Sequence, residues 1–301
     1  MSRRIPLMPS LTDTAFEAER PHLLAVAYRM LGSHAEAEDA VQEAWLRYAK
    51  AREGGEIRDL RGWLTTVTGR ICLDVLKSAR VSRAAYPGQW LPSYVVDPDP
   101  GPAGRAEMSD QVALALLVVL ERLTPEQRVA LVLHDAFGVP FEDVATVLGT
   151  TDSAARQHAS RGRRAVAEGG IRHTADLAEQ RRVLEAFLAA ATNGDLEALA
   201  KVLAPGVVAI GDGPGVPGVG TRPILGADKV ARLYLGILSG RVATVTVEPV
   251  LVNGSLGVLA RGRFANGREL LAVLAIAVDR GRITGLFNQI NPDKLLLSDL
   301  L

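Results

Sequence analysis

The chain changes its hydrophobic period partway along, and that change sets the class of fold. From Phe16 to about Ala167 apolar residues recur at three- and four-residue steps, the spacing of one helix face. Leu23, Leu24, Ala27, Met30 and Leu31 make one stripe. Ala37, Val41, Ala44 and Trp45 make a second after a break at Gly32-Ser33. Trp63, Leu64, Val67, Ile71, Val75 and Leu76 make a third. Met108 to Arg122 reads as a fourth helix. Thr124-Pro125-Glu126 opens a fifth, with a capping hydroxyl, a proline at the first helical position and an acid in the first turn; it runs to about Phe137. Phe141 to Leu148 and Ser153 to Ala167 follow. Pro87 to Gly104, rich in Pro, Gly and Asp, reads as a linker with no single regular element. Asp176–Thr192, Asp195–Leu203 and Ala227–Leu238 are helical in pattern. Then Val242–Val252, Leu270–Val278 and Ile283–Ile290 are rich in β-branched residues and read as strands. Asn253-Gly254 and Asn266-Gly267 predict hairpin turns with both central residues at positive φ. Helices first and an antiparallel sheet after imply all-α domains followed by an α+β one. The expected boundaries are 10–85, a linker at 86–107, 108–172 and 175–301.

Composition excludes several classes. At 301 residues, 48% hydrophobic and 23% charged, the chain has the make-up of soluble globular domains. Formal net charge is zero, but local charge governs nucleic-acid contact, and Gly162 to Arg164 is dense in Arg while Glu36, Glu38, Asp39 and Glu43 form an acidic cluster. A single cysteine, Cys72, leaves no intrachain disulfide and no cysteine zinc site, which suits a reducing cytoplasm. Met1 to Ser10 has no apolar signal core, and Val112 to Leu120 is too short to span a bilayer. The expectation is a cytoplasmic protein with no metal, no cofactor and no membrane contact.

Leu123 to Val166 has the layout of a helix-turn-helix. Phe141, Val144, Ala145 and Leu148 bury the first helix, Gly149 allows the turn, and Thr151 or Ser153 caps the second helix. That helix presents Ser153, Arg156, Gln157 and Ser160 on one side. Arg forks onto guanine and Gln onto adenine; Arg161, Arg163 and Arg164 suit phosphates. The bland alternative is a solvated basic helix in a plain bundle. Asp39, Gln42, Glu43 and Arg47 share a helix surface that is either a solvated face or a docking surface for a partner's basic helix. The helix from Arg61 to Arg83 carries Arg70, Lys77, Arg80 and Arg83 with Asp74 opposing, a face that fits a nucleic-acid backbone. Trp63 reads as core and Cys72 as inert.

These pieces together resemble sigma-70-type RNA polymerase sigma factors of the extracytoplasmic-function group. DAVQEAWLR, Asp39 to Arg47, is similar to the region 2 segment that binds the polymerase clamp. RGWLTTVTGRICLDVLKSAR, Arg61 to Arg80, is similar to the part of region 2 that reads and opens the −10 element. LTPEQRVALVLHDAFGVPFEDVATVLGTTDSAARQHASRGRR, Leu123 to Arg164, resembles region 4, which reads the −35 element. The remainder resembles the SigJ-like subgroup, whose members carry a fused SnoaL-like domain. Its marks are Trp90-Leu91-Pro92 in the linker, Asp212-Gly213-Pro214-Gly215 where the subgroup has Asp-Gly-Gly-Gly, and Asn291-Pro292-Asp293-Lys294. Pro214 departs from that pattern by fixing φ and removing a donor. His158 and Gly162 stand where the recognition helix is expected to be apolar or Ala.

The resemblance implies a multidomain chain: two all-α sigma domains, a region 2 bundle and a region 4 helix-turn-helix, and a C-terminal α+β SnoaL-like cone. It implies that core RNA polymerase, through the clamp of its largest subunit and its flap, and promoter DNA are the partners. It also implies an intramolecular sigma–SnoaL contact through the three marked segments, and a cone that could hold an unknown small ligand. SnoaL-like enzymes typically use Asp and His as acid and base. The last His here, His173, precedes the cone, and Asp212, Asp228, Asp279 and Asp293 each have a bland reading as turn or cap residues, so no catalytic residues are expected. Two rival readings are a ligand-sensing helix-turn-helix regulator and a SnoaL-type enzyme fused to a DNA-binding module. The acidic DAVQEAWLR helix argues against the first and the missing His against the second.

Overall fold

The structure is a computed structural model that describes residues 14–55, 57–84, 86, 88–98, 114–169, 171–213, 222–240 and 242–297. In chain order its elements are helices α1 (Thr14–Leu31), α2 (His34–Arg52) and α3 (Leu60–Ala84), strand β1 (Tyr94–Pro98), helices α4 (Leu114–Leu120), α5 (Pro125–Leu131), α6 (Phe141–Leu148), α7 (Asp152–Glu168), α8 (Leu177–Thr192) and α9 (Leu196–Val202), strands β2 (Leu203–Asp212) and β3 (Ile224–Leu225), helix α10 (Ala227–Gly240), and strands β4 (Val242–Val252), β5 (Ser255–Phe264), β6 (Glu269–Asp279), β7 (Arg282–Gln289) and β8 (Leu295–Leu297). They form two compact units, Met1–Lys77 with Pro125–Ser160, and Ser78–Thr124 with Arg161–Leu301. Among the described residues no helix is long and apolar enough to cross a membrane.

The first unit is all-α. Gly32 ends α1, and the Ser33 hydroxyl caps α2 by accepting from the Glu36 N–H at 3.3 Å. Leu23, Val26, Met30 and Leu31 of α1 are buried, as are Ala37, Val41 and Ala44 of α2. Phe16 lies 5.0 Å from the Trp45 ring and 5.9 Å from that of Tyr48, and Trp63 adds to this cluster 6.4 Å from Tyr48. The helix from Pro125 continues to Phe137 as expected, but Val132–Ala136 is a π-helical turn. There His134 donates from Nδ1 to the Val139 carbonyl at 3.0 Å and stacks on Phe141 at 3.8 Å. Arg128 is buried and donates to the Met30 carbonyl at 2.8 Å, placing a cation at the C-terminal end of α1, where it opposes the helix dipole. Gly69 of α3 is a point of close approach: a Cβ there would lie 3.3 Å from Leu133 and from Val147.

The second unit is α+β. Its eight-stranded sheet has the order β3-β2-β7-β6-β5-β4-β1-β8. In the antiparallel meander β4–β5–β6–β7 the strands β4, β6 and β7 are the expected ones, and β5, between the two Asn-Gly turns, adds a strand that the sequence reading did not name. The flanks correct the expectation of a purely antiparallel sheet, because β2 runs parallel to β7 and β8 parallel to β1. A second correction concerns the linker, which supplies β1: Val96, Asp97 and Pro98 pair with Val252, Leu251 and Val250. The Tyr94-Val95-Val96 run is what carries this, with Tyr94 and Val96 buried and Pro98 at the end of the strand, where a missing donor costs least. Asn253 and Gly254 have φ of 50° and 74°, and so do the analogous Arg280 and Gly281 at 51° and 71°, giving two-residue hairpins. At Asn266-Gly267 only Gly267 has positive φ, 83°, because that loop is longer. Asp176 and Asp195 cap α8 and α9. Phe187, Leu199, Leu203, Val230, Ile276 and Leu286 belong to the core between these helices, α10 and the sheet.

His173 lies within this unit rather than ahead of it. Its Nδ1 accepts from the Val278 N–H at 3.1 Å, and its Nε2 lies 3.1 Å from the Ser255 hydroxyl. The acceptor role of Nδ1 fixes a neutral ring with the proton on Nε2. Burial holds its pKa below the ordinary histidine value.

Candidate functional site

Three surfaces and one buried cluster carry the candidate residues. On α2, Asp39, Gln42 and Arg47 are exposed and Glu43 is half-buried, with the Arg47 Nε 3.0 Å from Glu43. Sequence reasoning missed Leu46, which is 56% exposed between them. The signal available was its place in the stripe, one residue before Arg47, on the side opposite the buried Val41 and Ala44. An apolar side chain among Gln42, Glu43, Arg47 and Lys50 has the make-up of an interface core with a polar rim.

On α3, Arg70 and Lys77 are exposed but already engaged within the first unit. Arg70 donates to the Thr146 carbonyl at the end of α6 from Nη2 and Nε, at 2.9 and 3.3 Å, and Lys77 lies 3.7 Å from Glu126. Asp74 is exposed. Arg80 and Arg83 lie further along α3, and their side chains fall outside the described residues. On α7, Ser153, Arg156, Gln157 and Ser160 are exposed together while Ala155, Ala159 and Gly162 are buried. Gly149, φ 65°, makes the left-handed turn that lets α7 leave α6, and Thr151 caps α7 by accepting from the Ala154 N–H at 3.3 Å. The Arg156 guanidinium lies over the Phe141 ring at 4.6 Å. Arg161, Arg163 and Arg164 are exposed, and Arg164 pairs with Glu168 at 2.7 Å.

The buried cluster joins the linker to the sheet. Asp212 was expected in a loop; it is the last residue of β2, with 0% of its surface exposed. Burying a carboxylate demands donors, and it has three: the Tyr86 hydroxyl at 2.6 Å, the Leu91 N–H at 2.8 Å and the Lys294 ammonium at 2.6 Å. Lys294 also donates to the Leu91 carbonyl at 3.1 Å. The pair therefore grips Leu91 by both backbone groups. The same ammonium lies 3.1 Å from the Trp90 ring centroid and 4.7 Å from that of Tyr86. Trp90 thus covers a cation, an attraction that strengthens out of water. Burial first, then the hydrogen bond to Asp212, holds the Tyr86 phenol above the ordinary tyrosine range, so it stays a donor. Gln289 reaches the Pro92 carbonyl at 3.4 Å, and Asn291 reaches the Tyr86 hydroxyl at 3.3 Å. Tyr86, Gln289 and the pairing of Asp212 with Lys294 were not read from the sequence. Asp293 is exposed and contributes its backbone N–H to Asn291, while Pro292 opens the short 3-10 turn that carries Lys294 inward. Gly213 follows Asp212; Pro214 and Gly215 lie outside the described residues. Beside the cluster, the sheet and helices enclose a cavity of about 370 Å³.

The family model described as Sigma-70 region 2 matches residues 15–81, and that described as Sigma-70, region 4 matches residues 113–166. The chain is 42% identical over 293 residues to the ECF RNA polymerase sigma factor SigJ of Mycobacterium tuberculosis, covering 95% of this chain and 93% of that protein. It is 40% identical to the probable ECF RNA polymerase sigma factor SigI of the same organism, covering 94% of each. The crystal structure of M. tuberculosis SigJ superposes with a TM-score of 0.70 at 39% identity, over 94% of this chain and 98% of that one. Region 2 and region 4 in this order, with likeness over nearly the whole length, place the chain in the family of extracytoplasmic-function RNA polymerase sigma factors, the subunits that direct transcription initiation.

Proposed function

We propose that this sigma factor docks on the clamp of the polymerase largest subunit through Asp39, Gln42, Glu43, Leu46 and Arg47, and that the flap engages region 4. It reads the −10 element with the α3 face and the −35 element with Ser153, Arg156, Gln157 and Ser160, while Arg161, Arg163 and Arg164 hold phosphates. To meet DNA, Arg70 and Lys77 exchange Thr146 and Glu126 for phosphate oxygens. It works in the cytoplasm, where its polymerase partner is, and carries no catalysis of its own: among the described residues no Asp, Glu or His lines the cavity, which leaves no acid–base pair among them.

The C-terminal domain acts as a built-in regulator by holding the linker that joins region 2 to region 4. The observation that carries this is the Asp212–Lys294 pair closing on the Leu91 backbone. The contact is local and strong where it needs to be, since removing one partner of a buried ion pair costs about 3–5 kcal/mol. Asp212→Ala and Lys294→Met should each free the linker and raise run-off transcription with core polymerase by about fivefold or more, the low end of ordinary coupling free energies. Circular dichroism on each variant checks that the domain stays folded. Wild-type output from both folded variants would end the regulatory reading.

A further inference from the structure

The cavity beside the linker cluster has the construction of a ligand site. Its volume, about 370 Å³, lies in the range of small-molecule pockets, roughly 300–1,000 Å³. Phe187, Ile210, Leu233, Val258 and Ala272 are among its apolar walls. Such walls offer water too few partners to be held well. The polar groups are few and each is informative. Tyr234 stands edge-on to Phe187 at 5.2 Å, and its hydroxyl forms no hydrogen bond with any described residue. The Asn288 side chain, also in the lining, likewise has no partner among the described residues. Arg222 lines the wall, is exposed, and pairs with no carboxylate among the described residues; residues 214–221, which precede it, contain no acid. A cation that pairs with no carboxylate among the described residues, at the rim of an apolar chamber, selects a molecule with an apolar body and an anionic head.

The same walls carry the linker cluster. Ala209 and Gly211 line the cavity, and the next residue is Asp212. Asn288 and Ile290 line it, and they alternate with Gln289 and Asn291, which reach the linker. Gln89 lines it, and the next residue is Trp90, over Lys294. Successive residues on a strand face opposite ways, so a molecule pressing on one side of β2 and β7 displaces the groups on the other. We propose that the cavity binds a small apolar molecule bearing one carboxylate, its head on Arg222 and a polar atom within reach of Tyr234 or Asn288, and that filling it loosens the hold on Leu91. The coupling half rests on the regulatory reading above; the binding half does not.

The test uses the full chain with decanoate and 1-decanol as probes, both below their aggregation limits, in calorimetric titrations. Decanoate should bind once per chain, about tenfold or more tighter than decanol, a difference of about 1.4 kcal/mol. Arg222→Gln should erase that difference, and Ala260→Trp, which fills the chamber, should abolish binding of both. Arg222 is exposed, so its variant reports on recognition even if Ala260→Trp does not fold. No saturable binding of either probe overturns the site; equal affinity of the two, or unchanged decanoate affinity in Arg222→Gln, overturns the anionic head. Saturating decanoate should raise run-off output about fivefold or more in the wild type and leave Arg222→Gln unmoved at the same concentration. Binding without a change in output overturns the coupling. In that event the output of Asp212→Ala without ligand says separately whether the linker hold regulates at all.

Discussion

Arg156 and Arg164 lie on one helix in different settings. Arg156 is exposed beside Gln157 and braced over Phe141 at 4.6 Å, so the proposed base contact would cost its side chain less freedom. Arg164 is paired with Glu168 at full exposure, a contact worth little in water and easily traded for a phosphate. Arg156→Ala should cost about 1–3 kcal/mol at one −35 base pair and relax the preference there. Arg164→Ala should weaken all sequences alike and flatten the salt slope by about one unit. A randomised −35 selection separates the two, and identical preferences for Arg156→Ala and wild type would remove Arg156 from base reading. The exposure of Arg156 and Gln157 on one face of α7 was legible because helical spacing sets them opposite the buried Ala155 and Ala159. Asp212 and Lys294 were legible only as separate marks. Their partnership spans 82 positions in the chain, and no local pattern reports a contact so distant.

At the scale of elements, α2 combines charge with an exposed apolar knob. Asp39→Lys with Glu43→Lys should weaken assembly with core polymerase most at low salt, because screening removes the attraction that the reversal opposes. Leu46→Ser should weaken it at every salt concentration. Pull-down of core polymerase by the variants across a salt series checks both, and unchanged recovery of all of them would rule the surface out. The helices were legible to within a few residues because caps and periodicity agree, as at Ser33, Asp176 and Asp195. The strands outside the meander were not. β2 begins directly after α9, contains Pro205 and Gly206, and buries most of its last six residues on both faces, so it shows no alternation. β1 lies in a Pro- and Asp-rich stretch whose composition argues for coil, and β8 is three residues long. Pairing with distant strands, and not local preference, makes these into strands.

For the molecule as a whole, the C-terminal unit should respond to acid through His173. Burial lowers its folded pKa below the reference 6.5, so the unfolded chain takes up the proton first. The stability tied to its neutral ring is therefore complete above about pH 6.5 and is lost as pH falls from there toward the folded value. Urea unfolding at pH 7.5 and 5.5 should show this loss, reduced in His173→Gln; an identical pH response in the variant would exclude His173 as its source. His173 also marks where the chain re-enters the sheet. Thr174 donates to the Val278 carbonyl at 3.0 Å, and β1, which left the sheet earlier, stays paired with β4 and β8. The region 4 match, 113–166, thus lies between two segments of one sheet. In chain order region 4 is a guest spliced into its host. A single cut at residues 99–113 would leave both fragments stitched together by strand pairing, and no truncation after region 4 can remove the host without orphaning β1, the strand left behind, as an unpaired edge.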